Sequence, residues 1–248
     1  MEIPQLSEPL PQSPRTWAMA DLVAFAGFFL LTLIFLPALL VAGARVFIPT
    51  LSVTNLSGEA QILLQGALDI AWVGFIFFLV KVIHRKDIRE TLRWHRTNRY
   101  PLGILISIGA TLAIAAFAVS WLFPPASPPA IEKLVETPRS MYMLVVFGVC
   151  FAPIIEEIIF RGFFFNALSK LGGNRLAVPV TAALFAVLHA PQLWPSLAGV
   201  VLIFVVGLIL STMRARSNSL IPSFIVHTAY NTMLVAASAI AEVMQQGK

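Results

Sequence analysis

The sequence predicts an all-α polytopic transmembrane helix bundle of about seven spans, with the candidate chemistry in its last four helices. Three observations predict this. Of the 248 residues, 58% are hydrophobic and only 12% charged, well under the roughly 25% charged residues of a soluble domain, so water is not the main solvent of the folded chain. Apolar stretches recur at the length of about 20 residues that crosses a hydrocarbon core of about 30 Å. Lysine and arginine gather between those stretches rather than inside them.

The first 16 residues hold four prolines and no basic segment leading into an apolar core of the signal-peptide kind. Residues 1–17 therefore read as a flexible N-terminal tail. Residues 18–139 read as three N-terminal spans, near 18–42, 60–83 and 102–123, with a basic loop at 81–100. From 140 to 241 the apolar segments are longer and more broken. They run near 141–169, 175–190, 196–213 and 219–241, and Gly, Pro or charged residues separate them. Residues 124–140 form a loop with room for a short interfacial helix.

Orientation follows from the basic residues, because loops rich in them stay cytoplasmic. The stretch from Lys81 to Tyr100 holds seven of the seventeen Lys and Arg. Placing it inside also puts Arg15, Lys170, Arg175, Arg214 and Arg216 inside, twelve in all against four outside. The expectation is an integral protein of a bacterial-type plasma membrane, N-terminus cytoplasmic and C-terminus external. The net charge of +5 is then first an orientation signal with Trp94 and Tyr100 as interfacial anchors, binding of anionic lipid head groups by the basic loop is the alternative, and nucleic acid is not a partner. The lone Cys150 rules out an internal disulfide and reads as a buried thiol.

Ionisable groups inside spans are costly and mark function by default. The fourth span contains Glu156, Glu157 and Arg161 among Ile and Phe. Glu157 and Arg161 are four apart, on one helical face, and can pair. Glu156 points about 100° away and remains available for proton transfer. His189 lies in the fifth span, four residues after Phe185, which packs on and fixes the imidazole. His227 and Asn231 lie four apart in the seventh, so both can donate towards one point, as an oxyanion requires. Counted from the cytoplasmic ends at 1.5 Å per residue, Glu156 lies about 20 Å deep, His189 about 21 Å and His227 about 14 Å. Three helices thus bring polar groups to similar depth. A buried ion-pair triad that only joins helices is the plainer reading of the Glu-Glu-Arg group. Gln65 and Asp69, four apart in the second span, line a water path or form a packing pair.

Together Glu156-Glu157-x-x-x-Arg161, Phe185-x-x-x-His189 and His227-x-x-x-Asn231 resemble the CAAX protease and bacteriocin-processing family of intramembrane proteases, which includes the type II CAAX prenyl endopeptidases. The resemblance covers about residues 140–235. It implies hydrolysis of a peptide bond in a membrane-anchored or lipidated, CAAX-like substrate within the lipid bilayer. Glu156 and His189 would activate water, His227 and Asn231 would form the oxyanion hole, and Glu157, Arg161 and Phe185 would support them. No cofactor is required in that mechanism. A metalloprotease alternative uses Glu156, His189 and His227 as a His₂Glu zinc set, although no HExxH helix is present.

Two other readings compete. A proton-coupled carrier also needs buried ionisable groups, but the two halves show no inverted repeat. A non-catalytic scaffold or immunity protein would keep the ion triad without needing the two histidines and Asn231 at one depth.

Overall fold

A computed structural model describes residues 14–246. Residues 1–13 of the expected tail lie outside the described residues, and residues 14–17 begin the first helix. The described chain is all helix and loop, in the order α1 (Pro14–Ala44), α2 (Gly58–Phe78), α3 (Ile88–Thr91), α4 (Leu102–Leu122), α5 (Pro138–Val146), α6 (Ala152–Glu156), α7 (Phe165–Leu193), α8 (Leu197–Ser217) and α9 (Ile221–Gln246). π-helical segments continue α2 over Leu79–Ile83 and join α5, α6 and α7 over Phe147–Phe151 and Glu157–Phe164. The short helix expected within 124–140 is a 3₁₀ segment, Ala130–Val135. Among the described residues, five helices are long and apolar enough to cross a membrane, the run Pro138–Leu193 counting as one.

That run bends back on itself. Gly172 (φ −143°, ψ 17°) and Gly173 (φ 69°) leave helical geometry, and the left-handed φ at Gly173 suits a residue without Cβ. Arg161 and Phe185, equally far in sequence from the bend, come together as cation over ring at 4.5 Å. The run is therefore two antiparallel arms, matching the separation of the fourth and fifth spans at this point. Thr137 and Ser140 close a capping box at the start of α5, which fixes where the first arm begins.

The interior divides into two apolar clusters. In one, Phe25 of α1 and Leu68, Trp72 and Ile76 of α2 pack on Ile158, Ile159, Phe160, Phe163 and Phe185. In the other, Leu105 and Leu112 of α4 meet Val206 and Leu210 of α8 and Val226 and Tyr230 of α9. Outward faces are equally apolar, with Leu30, Ile34, Phe35 and Leu39 of α1 exposed, as a hydrocarbon solvent allows. Cys150 corrects the expectation of a buried thiol: the π-helical segment turns it to the exposed outer face. Both sides of that helix are apolar, so hydropathy does not reveal which one faces the bundle.

Small residues set the closest approaches, as packing in lipid favours. A Cβ on Gly109 would sit 2.6 Å from the Val226 carbonyl oxygen and 2.9 Å from the Tyr230 nitrogen, so α4 rides directly on the backbone of α9 beside His227. Replacing Gly109 by Ala is expected to cost about 1–3 kcal/mol by overpacking, read as a lower unfolding temperature in detergent micelles. Gly27→Ala, with nothing within 4 Å of the added Cβ, should leave that temperature unchanged or raise it slightly.

Candidate active site

Pro153 shapes the first arm. Having no N–H, it cannot donate back into the preceding turn, and the helix before it widens into the π register, with the Ala152 N–H reaching the Phe147 carbonyl. The Gly148 carbonyl loses both donors it would otherwise meet, Ala152 to this shift and Pro153 to chemistry. Asn231 of α9 fills the gap, its Nδ2 donating to Gly148 O at 2.8 Å. One proline thereby fixes the orientation of a candidate site residue on another helix.

The second π-helical segment carries the charges. Glu157 and Arg161 pair at 3.2 Å and are both fully buried, as the i, i+4 spacing predicts. Glu157 also accepts from Ser223 Oγ at 2.6 Å and faces His227 Nδ1 at 3.2 Å. Arg161 lies over the Phe185 ring and reaches the Gly207 carbonyl at 3.4 Å. Two carbonyls of this segment bond to side chains: Arg161 O accepts from Arg214 Nε at 3.2 Å, and Gly162 O from Asn166 Nδ2 at 2.6 Å. Arg214 was expected among the loop cations; it is instead 2% exposed, held by backbone and by Asn166 Oδ1 at 2.6 Å. A buried guanidinium that serves carbonyls satisfies them without a carboxylate partner.

Glu156 faces the two imidazoles. Its Oε2 lies 3.7 Å from His189 Nε2 and 3.5 Å from His227 Nε2, and it has no hydrogen-bond partner among the described residues although the atom is buried. His189 Nδ1 lies 2.7 Å from the Phe185 carbonyl oxygen. A carbonyl only accepts, so Nδ1 carries the proton, and in the neutral ring Nε2 turns a lone pair towards Glu156. The Phe185 ring stacks near His189 at 4.3 Å and meets His227 edge-on at 5.7 Å. One phenyl thus touches both histidines and Arg161.

The structure brings Glu156, Glu157, Arg161, Phe185, His189 and His227 into one contiguous cluster, with Asn231 one turn beyond His227. Ser223 and the Gly148 carbonyl escaped the sequence reading. Ser223 stands four residues before His227, so a stripe at 223, 227 and 231 was there to be read; Pro153 was the signal for Gly148. Asp69 is buried, accepts from Gln65 Nε2 at 2.9 Å and lies within electrostatic reach of Glu156. Among the described residues no group of three His, Cys, Asp or Glu side chains is arranged to hold a metal ion.

Residues 138–233 match the family model described as Type II CAAX prenyl endopeptidase Rce1-like. Over this region the chain is similar to the Rce1-like family. The match begins at the helix that the capping box starts and ends just past Asn231, so every residue of the cluster falls inside it. The protein is an integral membrane protein with a region similar to the type II CAAX prenyl endopeptidases, and the first three spans lie outside the match. No curated protein and no solved structure matches the chain.

Breaking the buried pair should be costly. Arg161→Met strands Glu157 as an unpaired buried charge, and we expect a loss of about 3–5 kcal/mol in denaturant unfolding. Adding Glu157→Gln to that variant should restore much of the loss, since the stranded charge is gone.

Proposed function

We propose that the protein is an intramembrane endopeptidase that hydrolyses a peptide bond of a membrane-anchored or lipidated, CAAX-like protein or peptide. The observation that carries this reading is the facing of Glu156 Oε2 and His189 Nε2 at 3.7 Å. Both atoms are acceptors, too far apart for a direct hydrogen bond and close enough for one water to donate to both. A water held by both its hydrogens turns its lone pairs outward, the condition for attack.

Glu156 takes a proton from that water as its oxygen bonds to the scissile carbonyl carbon, and the carbonyl oxygen becomes an oxyanion. His227 and Asn231 donate to it. For His227 this requires protons on both nitrogens, because Nδ1–H is engaged with Glu157; the carboxylate beside it balances that charge, and Arg161 balances the carboxylate. Asn231 retains one N–H beyond the bond to Gly148. Glu156 then returns its proton to the amide nitrogen as the C–N bond breaks. Glu157, Arg161 and Phe185 hold the donors in place.

The route through glutamate and histidine is our preference over zinc, and it needs no cofactor. Lipidation of the substrate rests on the family alone. An N-terminus in the cytoplasm of a bacterial-type cell and an external C-terminus remain part of the proposal, supported by the concentration of basic residues at one end of the bundle.

The test is cleavage of lipidated and membrane-anchored peptides by protein reconstituted in bilayers. Glu156→Gln should lower turnover by at least about a hundredfold while leaving the unfolding temperature near that of the wild type. A zinc chelator should leave wild-type cleavage intact. Turnover surviving in Glu156→Gln would sink the glutamate assignment, and turnover lost to the chelator would move the mechanism to metal.

A further inference from the structure

The basic stretch at 81–100, read from the sequence as an orientation signal with anionic lipid binding as the alternative, is built into the framework of the site. Leu92 is 2% exposed and packs so closely on Gly162 that a Cβ there would come within 2.9 Å of it. Asn166 Nδ2 donates to Thr91 O at 2.7 Å, the Leu220 N–H to Arg93 O at 3.0 Å, and Ser219 Oγ to His95 O at 2.5 Å. Trp94 stacks beside Phe224 at 5.8 Å. Each anchor on the far side lies in the π-helical segment of Glu157, within two residues of its end, or close to Ser223, which bonds Glu157.

While Leu92 is buried and the backbone carbonyls of Thr91, Arg93 and His95 are anchored inward, all seven cations of the stretch are exposed. Lys170 and Arg175 at the Gly172–Gly173 bend and Arg216 at the end of α8 are exposed as well, and Lys170 lies within electrostatic reach of Lys86 and Asp21. Ten exposed cations therefore share one end of the bundle with three carboxylates, Asp21, Asp87 and Glu90. Among the described residues the non-glycine residues of left-handed φ are Arg85, Arg93 and Asn218, all at this end. That conformation is disfavoured for side chains with a Cβ, and the loop keeps it where it spreads cations outward.

We propose that this end is a docking collar for the phosphates of anionic membrane lipids, and that lipid bound there holds the 81–100 stretch against α9 and the Glu157 segment. Cations at a membrane surface are attracted to anionic leaflets one by one, and the inward anchors transmit the hold to the residues that orient His227. The inference stands apart from the peptidase reading, because it is tested without cleavage.

The Leu220 amide, bonded to Arg93 O, reports the docking directly. Its hydrogen exchange is measured in nanodiscs of phosphatidylcholine alone and of phosphatidylcholine with phosphatidylglycerol. We expect slower exchange with phosphatidylglycerol, and loss of most of that slowing in the Arg85→Gln, Arg89→Gln, Arg96→Gln variant, at about fivefold per cation. In the wild type, raised salt should erase the slowing too, an arm that does not depend on the variant folding. Equal exchange in the two lipids, slowing retained in both the variant and high salt, or the same slowing from inorganic phosphate added to phosphatidylcholine nanodiscs would each overturn the proposal.

Discussion

The structure depends on charges that must cancel where water cannot reach them. Glu157 and Arg161 have no exposed surface and His227 almost none, so each charge has to find its complement within about one side chain's reach. Arg161 answers Glu157, Ser223 and His227 fill the remaining positions on that carboxylate, and Glu156 is left facing imidazole. In the proposed mechanism His227 carries both protons, and the four charged groups then sum to zero. Any helix shift that opened one of these contacts would leave a bare charge in low dielectric, so the arrangement of α7, α8 and α9 is held as much by electrostatic necessity as by packing.

Irregular helix is the means by which the cancellation is reached. A continuous α-helix from Pro138 to Leu171 would satisfy its own carbonyls and offer nothing to neighbours. In the π-helical segments the Gly148, Arg161 and Gly162 oxygens each accept from a polar side chain. Gly148 and Arg161 oxygens are answered from other helices, by Asn231 and Arg214, so the same distortions that aim the site residues tie the bundle across its apolar interior, where backbone groups cannot be left unpaired. Distortions of this type concentrate at functional sites, and here the reason is visible in Pro153 and in the donors it redirects.

Local geometry was legible in the sequence, and long-range geometry was legible only where chemistry demanded it. The pairs Glu157–Arg161 and Phe185–His189 follow from 3.6 residues per turn and stand as read. Depth alone grouped Glu156, His189 and His227, since a buried carboxylate needs a partner and few polar groups share its level. The outward turn of Cys150, the burial of Arg214 and the inward docking of Leu92 were not legible. In lipid both faces of a helix are apolar, so hydropathy marks the spans without saying which side meets protein, and a run of arginines looks the same whether its backbone is free or anchored.

In the proposed mechanism the histidines play unequal parts for a reason that lies in their neighbours. His189 has a neutral oxygen behind it, the Phe185 carbonyl, which accepts from Nδ1 and leaves Nε2 as the acceptor of the neutral ring. His227 has the Glu157 carboxylate behind it, 3.2 Å from Nδ1. One imidazole is thereby suited to accept from water and the other to donate to developing charge, although both aim Nε2 at the same carboxylate. Exchanging those two backing groups would exchange the roles. The division of labour in the site therefore resides in Phe185 O and Glu157 rather than in the histidines themselves.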